Sequence, residues 1–274
     1  MALVEPFPDL DELLAAIGEA GQRLSGIHAT EGAAGNISIL VGWPLEVRRR
    51  FPLSEPMVLP DPAPALAGQV LIITGSGRRL REIRANPTAN LGVIAIDADG
   101  QNARLHTAPQ RLFARVTSEF NSHLAVHNDQ VAQTGTNFHA LIHAQPPHLT
   151  YLSHIPAYRD QRFCNQQLLR WEPETIFNLP EGIGVLPFLL PGSAELMAAT
   201  VAGLRAHRIV LWSKHGVIAR SDISVTRAAD RIEYAETAAR YEYMDLVNHR
   251  QAEGLTAEEL RAIVKAFQVQ TTLV

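Results

Sequence analysis

The sequence predicts an α/β fold, a three-layer sandwich in which a mostly antiparallel central sheet is covered by helices. Short apolar runs with strand character mix with amphipathic segments of helical spacing, without the strict alternation that produces a parallel sheet. The chain of 274 residues contains no stretch with the composition of a linker. We therefore expect a single domain over residues 1–274, which is long enough to bury a substantial core.

The predicted helices rest on apolar residues three or four positions apart and on capping residues or prolines near their starts. They cover 9–24, a segment from Gly77 to near Asn86, 117–131, a segment with Pro147 in its first turn, 193–206, 224–248 and a last helix opened by the capping box of Thr256 and Glu259.

The predicted strands are short apolar runs bounded by turn residues, with 97–101 as a hairpin turn between two of them. They cover 37–41, 69–74, 91–96, 103–106, 138–143, 175–178, 184–189 and 209–212. Residues 44–64 hold six prolines. We predict a surface excursion there with no regular element.

Composition excludes several classes of protein. Hydrophobic residues make up 46% and charged residues 19% of the chain, as in ordinary globular proteins. The formal net charge of −4 argues against a nucleic-acid partner. The single cysteine, Cys164, fits a reducing compartment, and the acidic, proline-interrupted N-terminus is unlike a signal peptide. No apolar run approaches the roughly 18 residues of a membrane span, so we expect no membrane association and a cytoplasmic location.

A group of histidines is the strongest chemical signal. His143 ends a predicted strand, Gln145 and His148 follow it, and His215 lies far downstream in the stretch WSKHGV. Imidazole is the commonest protein ligand of transition metals, although a single histidine is more often solvated or hydrogen-bonded. Catalytic metal sites usually take three protein ligands and keep one position open. The pattern therefore predicts a metal site that includes His143 and His215.

One helix carries a competing set of ligands. Glu119, His123 and His127 are four residues apart, so they lie on one helix face and could together hold a metal. We favour a solvated polar stripe for this face. Glu119 is expected in the first turn, where complementing the helix dipole is the alternative to a chemical role.

Three loops have the residues of an anion site. They are Gly35-Asn36, the stretch 74–77 (TGSG) and Thr117-Ser118, and the last two precede predicted helices. Unpaired backbone N–H groups and hydroxyls at helix starts favour phosphate. Neither a P-loop nor a complete G-x-G-x-x-G motif is present at a strand–helix junction. A phosphorylated small molecule is therefore favoured over a nucleotide.

In their order, these motifs resemble the class II (metal-dependent) aldolase and adducin family, and the match spans nearly the whole chain. It is carried by 35–38, 74–77, 117–119 with His123, the histidine strand and His215-Gly216, and further by 86–92, 181–187, 191–193 and 209–212.

The resemblance implies an aldolase of carbohydrate metabolism that cleaves a ketose 1-phosphate, in particular L-rhamnulose 1-phosphate, to dihydroxyacetone phosphate and L-lactaldehyde. It implies a homotetramer with active sites between subunits, Zn²⁺ or another divalent metal, Glu119 as acid/base and Glu174 contributed by a neighbouring subunit. The residues that it implies for metal and for the substrate phosphate are His143 and His215, and Gly35, Asn36, Ser76, Gly77, Thr117 and Ser118.

The chain departs from the family pattern at two positions. The family strand has His-x-His, whereas this chain has His143-Ala-Gln145, and Ala33 stands where the related aldolases have asparagine. Residues two apart share a strand face, so Gln145 is expected to face the metal, although an amide is a poorer zinc ligand than imidazole. Either Gln145 or His148 could be the third ligand. The alternatives in the same fold are a sugar-phosphate epimerase or dehydratase, and a non-catalytic, metal-poor scaffold of the adducin type.

Overall fold

The computed structural model describes residues 2–274 and confirms the predicted fold class, since one nine-stranded sheet is flanked by helices. In chain order the strands are β1 (Asn36–Val41), β2 (Leu53–Val58), β3 (Val70–Thr74), β4 (Leu91–Ile96), β5 (Asn102–Thr107), β6 (Phe138–Ala144), β7 (Gly184–Leu186), β8 (Ile209–Trp212) and β9 (Gly216–Ser221). Their order across the sheet is β2-β5-β4-β3-β1-β6-β9-β8-β7. Only the pairing of β7 with β8 is parallel among the strands described, so the sheet is mixed but mostly antiparallel.

Helices pack on both faces of this sheet. They are α1 (Leu10–Gly26), α2 (Leu80–Ile83), α3 (Pro87–Asn90), α4 (Phe120–Thr134), α5 (Pro147–Leu152), α6 (Gln161–Leu168), α7 (Pro173–Asn178), α8 (Ala194–Ala206), α9 (Val225–Val247) and α10 (Ala257–Ala266). Helices α1, α5 and α9 contribute to the core on one face, and α4 and α8 to the cores on the other. Within residues 2–274 no helix is both long and apolar enough to cross a membrane.

The two central strands are buried on both faces, and their alternation separates apolar from polar side chains. Ile37 and Ile39 of β1 pack into the core under α1 and α9, and Ala140 and Ile142 of β6 join them. The residues between them in sequence point to the opposite face, which α4 covers. That second face therefore receives the polar residues of both strands.

Two predictions of local structure are wrong. Residues 175–178 belong to α7, which has Pro173 at its start, and not to a strand. A short apolar run does not distinguish a helix from a strand by periodicity alone. The proline-rich stretch 44–64 contains β2, with Pro56 inside it. Because β2 is the edge strand of the sheet, a missing N–H there does not interrupt a central ladder.

Two further elements differ from the prediction in their bounds, and one strand was not predicted. The expected strand 184–189 ends at Leu186, because only three residues pair with β8. The helix expected from Gly77 to near Asn86 is reduced to α2, and a separate short helix, α3, begins at Pro87. Strand β9 was not predicted as a separate element, although it is paired with both β6 and β8 and delivers the chain to α9.

Close packing of α1 against α2 generates a test of the fold. A Cβ added to Gly21 would lie 2.4 Å from the carbonyl oxygen of Leu80, whereas one added to Gly26 meets nothing within 4 Å. We expect Gly21→Ala to lower the free energy of unfolding by about 1–3 kcal/mol, because backbone must move. Gly26→Ala should raise it by up to about 1 kcal/mol, since glycine is a poor helix former.

Urea denaturation followed by circular dichroism measures both changes. Equal stabilities for Gly21→Ala and the unmodified protein would contradict the observed contact between the two helices.

Candidate active site

His143 lies near the end of β6 on the face that α4 covers, and it is 2% exposed. Its Nδ1 atom is 2.8 Å from the carbonyl oxygen of Val217 in β9. Because a carbonyl can only accept, Nδ1 must carry the proton. The lone pair of His143 is therefore on Nε2, which points into a polar cavity.

His215 reaches the same cavity from the turn between β8 and β9. Its ring centroid is 4.9 Å from that of His143, and Trp212 stacks on both rings at 5.2 and 4.8 Å. The turn requires glycine at the next position. A Cβ on Gly216 would lie 2.4 Å from the carbonyl oxygen of Ala144 and 3.1 Å from Cε1 of His143. The His-Gly pair in the sequence thus brings His215 against the histidine strand.

Glu119 completes the group. It is the N-cap residue of α4 and not a first-turn residue, and its carboxylate does not cap the helix. Instead, Oε2 accepts a hydrogen bond of 2.7 Å from Nδ2 of Asn36. Oε1 lies 3.6 Å from Nε2 of His215, and Oε2 lies 3.8 Å from Nε2 of His143. One donor atom from each of these three residues lies within 4.8 Å of the other two.

The charges in this group follow from its surroundings. Burial alone would raise the pKa of Glu119, but His143, the Asn36 amide and His215 outweigh it, so the pKa is lowered. Burial and the neighbouring His143 lower the pKa of His215 to about 4, although Glu119 opposes this change. At neutral pH the group therefore presents a carboxylate beside a neutral imidazole, which are forms that bind divalent metals.

The donor set fits a divalent metal. A tetrahedral ion with bonds of about 2.1 Å holds its ligand atoms roughly 3.4 Å apart. Each of the two imidazoles lies 3.6 or 3.8 Å from one of the two Glu119 oxygens. The hydrogen bond from His143 to Val217 is the type of support that metal-bound histidines have. His215 has no such support, since its buried Nδ1 lacks a partner among the described residues.

Two of the predicted phosphate loops are joined side by side. Gly75 and Val116 form an isolated antiparallel bridge beyond the end of β3. The backbone N–H of Ser76 donates to Arg115 at 2.8 Å, and that of Thr117 donates to Thr74 at 3.0 Å. These bonds place the stretch 74–77 beside the loop that precedes α4.

The loops line one cavity of about 240 Å³ together with Glu119, His143 and His215, which we call the metal-capable group. The lining consists of Ala33, Ala34, Gly35, Asn36, Gly75, Ser76, Gly77, Thr117, Ser118, Glu119, His143, Gln145, Pro191 and His215. Larger clefts of about 700 and 660 Å³ lie elsewhere. We assign the chemistry to the smaller cavity, because the only described group of residues that could hold a metal lies there.

The two candidates for a third ligand are placed differently. Gln145 lines the cavity, as expected from its position two residues after His143. His148 does not, because Nδ1 lies 2.6 Å from a carboxylate oxygen of Glu236 and its backbone N–H donates to the same atom. The structure therefore corrects the expectation for His148 and brings Glu119 to the metal-capable group instead.

Two other predicted residues have contrasting positions. Ala33 lines the cavity near the loop of Asn36. Glu174 is exposed in the first turn of α7 and is absent from the residues that line the cavity. A role for Glu174 at this site would therefore require a second subunit.

The interpretation of His123 and His127 as a solvated stripe is wrong, since both are completely buried. They contact Ser38 of β1, and His127 also contacts His139 of β6. Neither belongs to the metal-capable group with Glu119. Sequence reasoning missed Ser38 and His139. The available signals were the alternation Asn36-x-Ser38 in a buried strand and the even spacing of His139 from His143.

Known proteins are similar to this chain in sequence and in fold. The family described as "Class II Aldolase and Adducin N-terminal domain" matches residues 15–243. Rhamnulose-1-phosphate aldolase of Klebsiella pneumoniae (strain 342) is 31% identical over 214 residues, covering 78% of this chain and 76% of that protein. The enzyme of the same name from Escherichia fergusonii is 30% identical over 226 residues, covering 81% and 77%.

A solved structure shows the same relationship in three dimensions. The sugar-phosphate aldolase from Thermotoga maritima superposes with a TM-score of 0.74 at 26% identity, covering 89% of this chain and 98% of that one. The match of the family over most of the chain confirms the resemblance drawn from the motifs. The chain belongs to the class II aldolase and adducin family, and the prediction of a class II aldolase, a carbon–carbon lyase, is confirmed at that level.

Proposed function

We propose that this protein is a metal-dependent aldolase that cleaves a ketose 1-phosphate to dihydroxyacetone phosphate and an aldehyde. The observation that carries the proposal is the shared cavity, where a metal-capable group faces two joined hydroxyl-bearing loops. A phosphorylated sugar is small enough for a cavity of about 240 Å³. No other described part of the chain combines these two features.

L-Rhamnulose 1-phosphate is the substrate that we favour, with L-lactaldehyde as the second product. The support is the name of the relatives, which are about 30% identical over most of this chain. The test is a panel of ketose 1-phosphates assayed for released dihydroxyacetone phosphate. Release from no member of the panel, or epimerisation or dehydration of a member, would contradict the proposal.

Zn²⁺ is the metal that we propose, held by His143, His215 and Glu119. Two imidazoles and a carboxylate with an open position form a common catalytic zinc set. When bound, such an ion would supply a Lewis acid at the ketone oxygen of the substrate. Gln145 lines the same cavity and could bind the substrate or the metal through its amide.

Glu119 would transfer the proton to and from C3 of the substrate. Breaking the C3–C4 bond leaves the electron pair on C3, which takes up a proton, while the C4 hydroxyl loses one as the aldehyde forms. The carboxylate of Glu119 must first gain a proton, and the one released from the C4 hydroxyl balances it. The resulting carboxyl group can donate the proton to C3, and the carboxylate can remove it again in the synthetic direction. Glu119 is only 5% exposed, so its contact with bulk solvent is small.

The loops around Ser76 and Thr117 would hold the phosphate. Their hydroxyls and backbone line the wall of the cavity, together with Gly77 and Ser118. Asn36 has little hydrogen-bonding capacity left for the phosphate, because its amide already binds Glu119 and His123. Only the remaining amide N–H of Asn36 is available to an anion.

Assembly and location complete the proposal. We propose a homotetramer, in which Glu174 of a neighbouring subunit could reach the site. Phe188 and Leu190 are 56% and 69% exposed next to Pro191, a residue of the cavity wall, and a subunit contact would cover them. The single buried thiol of Cys164 is compatible with the cytoplasm.

Metal content provides one test. We expect His143→Ala to lose most of its metal and His148→Ala to retain it, because only His143 belongs to the group with Glu119 and His215. Removal of a residue that merely supports a ligand lowers affinity by about 10–100-fold, so the loss of a ligand should cost at least as much. Elemental analysis after expression with added zinc measures both. Equal metal content in the two variants would contradict the assignment of the ligands.

A second test concerns Glu119. Glu119→Gln retains an acceptor for Asn36 but cannot transfer a proton, so the cleavage rate should fall by about 10²–10⁴-fold. The exchange of the dihydroxyacetone phosphate proton with solvent should fall in parallel, since it needs the same group and no aldehyde. Both rates are measured at saturating zinc, so that metal occupancy is equal. An unchanged exchange rate would assign proton transfer to another residue.

A third test addresses the phosphate loops. Ser76→Ala should raise the KM for a ketose 1-phosphate by about 10-fold or more with little change in kcat, because a hydrogen bond to a charged group contributes roughly 1.5–3 kcal/mol. Ser54→Ala is the matched control, since this exposed hydroxyl on β2 binds Arg104 far from the cavity. Identical KM values for the two variants would show that Ser76 does not bind the phosphate.

A further inference from the structure

A continuous chain of buried hydrogen bonds runs from Glu119 along the interface between α4 and the sheet. We name it the imidazole chain. In order from Glu119 its members are Asn36, His123, Ser38, His127 and His139. None is more than 7% exposed. Apart from Asn36, none of the five lines the cavity.

The register of the two central strands builds this chain. Asn36 is paired with His143, and the neighbour of His139 on β1 is Leu40, so all four side chains lie on the face covered by α4. Helix α4 adds His123 and His127, which are four residues apart and so occupy one helix face. The chain therefore begins beside the metal-capable group and follows both strands away from it.

Each hydrogen-bonding proton of the imidazole chain can be assigned to one atom if Glu119 is ionised and the imidazoles are neutral. The carboxylate accepts from Nδ2 of Asn36 at 2.7 Å, so Oδ1 of Asn36 must accept from Nε2 of His123. Nδ1 of His123 then accepts from the hydroxyl of Ser38 at 2.6 Å.

The assignment continues beyond Ser38. Its oxygen, having donated its only proton, accepts from Nε2 of His127 at 2.7 Å. Nδ1 of His127 accepts from Nδ1 of His139 at 2.8 Å. This leaves Nε2 of His139 as a buried acceptor without a partner among the described residues. All the hydrogen bonds point in one direction, toward the carboxylate.

Burial keeps the imidazoles neutral. It lowers the pKa of His123 to about 4 and that of His139 to about 3, and it lowers the pKa of His127 well below its usual value. A neutral imidazole has one donor and one acceptor. The single direction of the chain is thus maintained at physiological pH.

We propose that the imidazole chain positions Glu119 for proton transfer, by fixing the amide of Asn36 so that its N–H, and not its oxygen, faces the carboxylate. Oε2 of Glu119 is then held by Asn36, and Oε1 remains on the side of His215. A flipped amide would place two oxygens against each other. The proposal rests on the proposed role of Glu119 and assigns His123, Ser38, His127 and His139 as positioning residues.

Two other roles fit the geometry less well. A relay of protons would have to cross the amide of Asn36, which does not readily exchange one proton for another. A second metal site would need three donor atoms close together, and the only such group in the described chain is the one at Glu119. Ser38 instead separates His123 from His127.

Ser38→Ala is the decisive variant because it removes one oxygen from the middle of the chain. Its matched control is Ser122→Ala. Ser122 is equally buried, lies next to His123 on α4, and has a hydroxyl without a hydrogen-bond partner among the described residues. Both variants replace a buried hydroxyl by hydrogen, but only Ser38→Ala interrupts the chain.

We expect Ser38→Ala to lower kcat for cleavage and for proton exchange by at least about tenfold, since misplacing a reacting group by about 1 Å costs roughly 100-fold. KM should stay within about twofold, as in Ser122→Ala, because the phosphate loops are untouched. Both kcat values are measured at saturating zinc, because Glu119 is itself a proposed metal ligand. Equal kcat values for the two variants would overturn the proposal. So would loss of metal from Ser38→Ala with full activity restored by added zinc, which would make the chain a support of the metal site.

Nitrogen-15 NMR of histidine-labelled protein reads the protons directly and does not depend on activity. We expect protons on Nε2 of His123 and His127 and on Nδ1 of His139, and a mixture of tautomers at His123 in Ser38→Ala only. The same tautomers in Ser38→Ala as in the unmodified protein would overturn the proposal. An unmodified protein without aldolase activity would instead contradict the proposed function, while the tautomers would still report on the chain.

A second pair of variants covers poor folding of Ser38→Ala. His123→Gln keeps an N–H donor at the position of Nε2, whereas His123→Leu has none. We expect His123→Gln to retain at least about ten times the kcat of His123→Leu, on the same estimate for a misplaced group. Equal kcat values for these two variants would show that the hydrogen bond to Asn36 does not matter to Glu119.

Discussion

The candidate site depends on one constraint, which is that the buried carboxylate of Glu119 must have hydrogen-bonding or charged partners. Glu119 is 5% exposed at the start of α4, and a buried charge without partners is strongly unfavourable. The amide of Asn36 satisfies one oxygen, and the imidazoles of His143 and His215 face the group. Each of these partners must in turn be oriented, so the requirement extends outward into the strands and into α4.

The antiparallel sheet meets this requirement through its register. Asn36 lies directly opposite His143 on neighbouring strands, and β9 lies on the other side of β6. The hydrogen bond from His143 to Val217 and the turn at Gly216 then bring His215 to the same point. Residues from distant parts of the chain thus converge because three strands are paired in one order. Polar residues on that face are tolerated because α4 supplies matching groups.

The two halves of the cavity are formed by different parts of the fold. Of the metal-capable group, His143 stands on the buried central strand β6, whereas Glu119 lies at the start of α4 and His215 in the turn before β9. The hydroxyl-bearing loops stand beyond the end of β3, joined by the bridge between Gly75 and Val116. The hydrogen bonds from Asn36 to Glu119 and from His143 to Val217 tie the metal-capable group to strands β1 and β9. The two halves of the cavity meet at the start of α4, where Glu119 directly follows Thr117 and Ser118.

The sequence by itself determined the fold class, most of the strands and helices, and the residues His143, His215 and Glu119 as candidates, because periodicity, caps and ligand types are local properties. It could not place β2 in a proline-rich stretch or distinguish α7 from a strand, since those outcomes depend on neighbours at the sheet edge and in the core. Only the tertiary structure decided that His148 binds Glu236 and that Glu119 joins the two histidines. It also decided that His123 and His127 are buried partners of Ser38. Spacing along a helix shows which residues share a face, but what that face meets is decided by the register of strands far away in the chain.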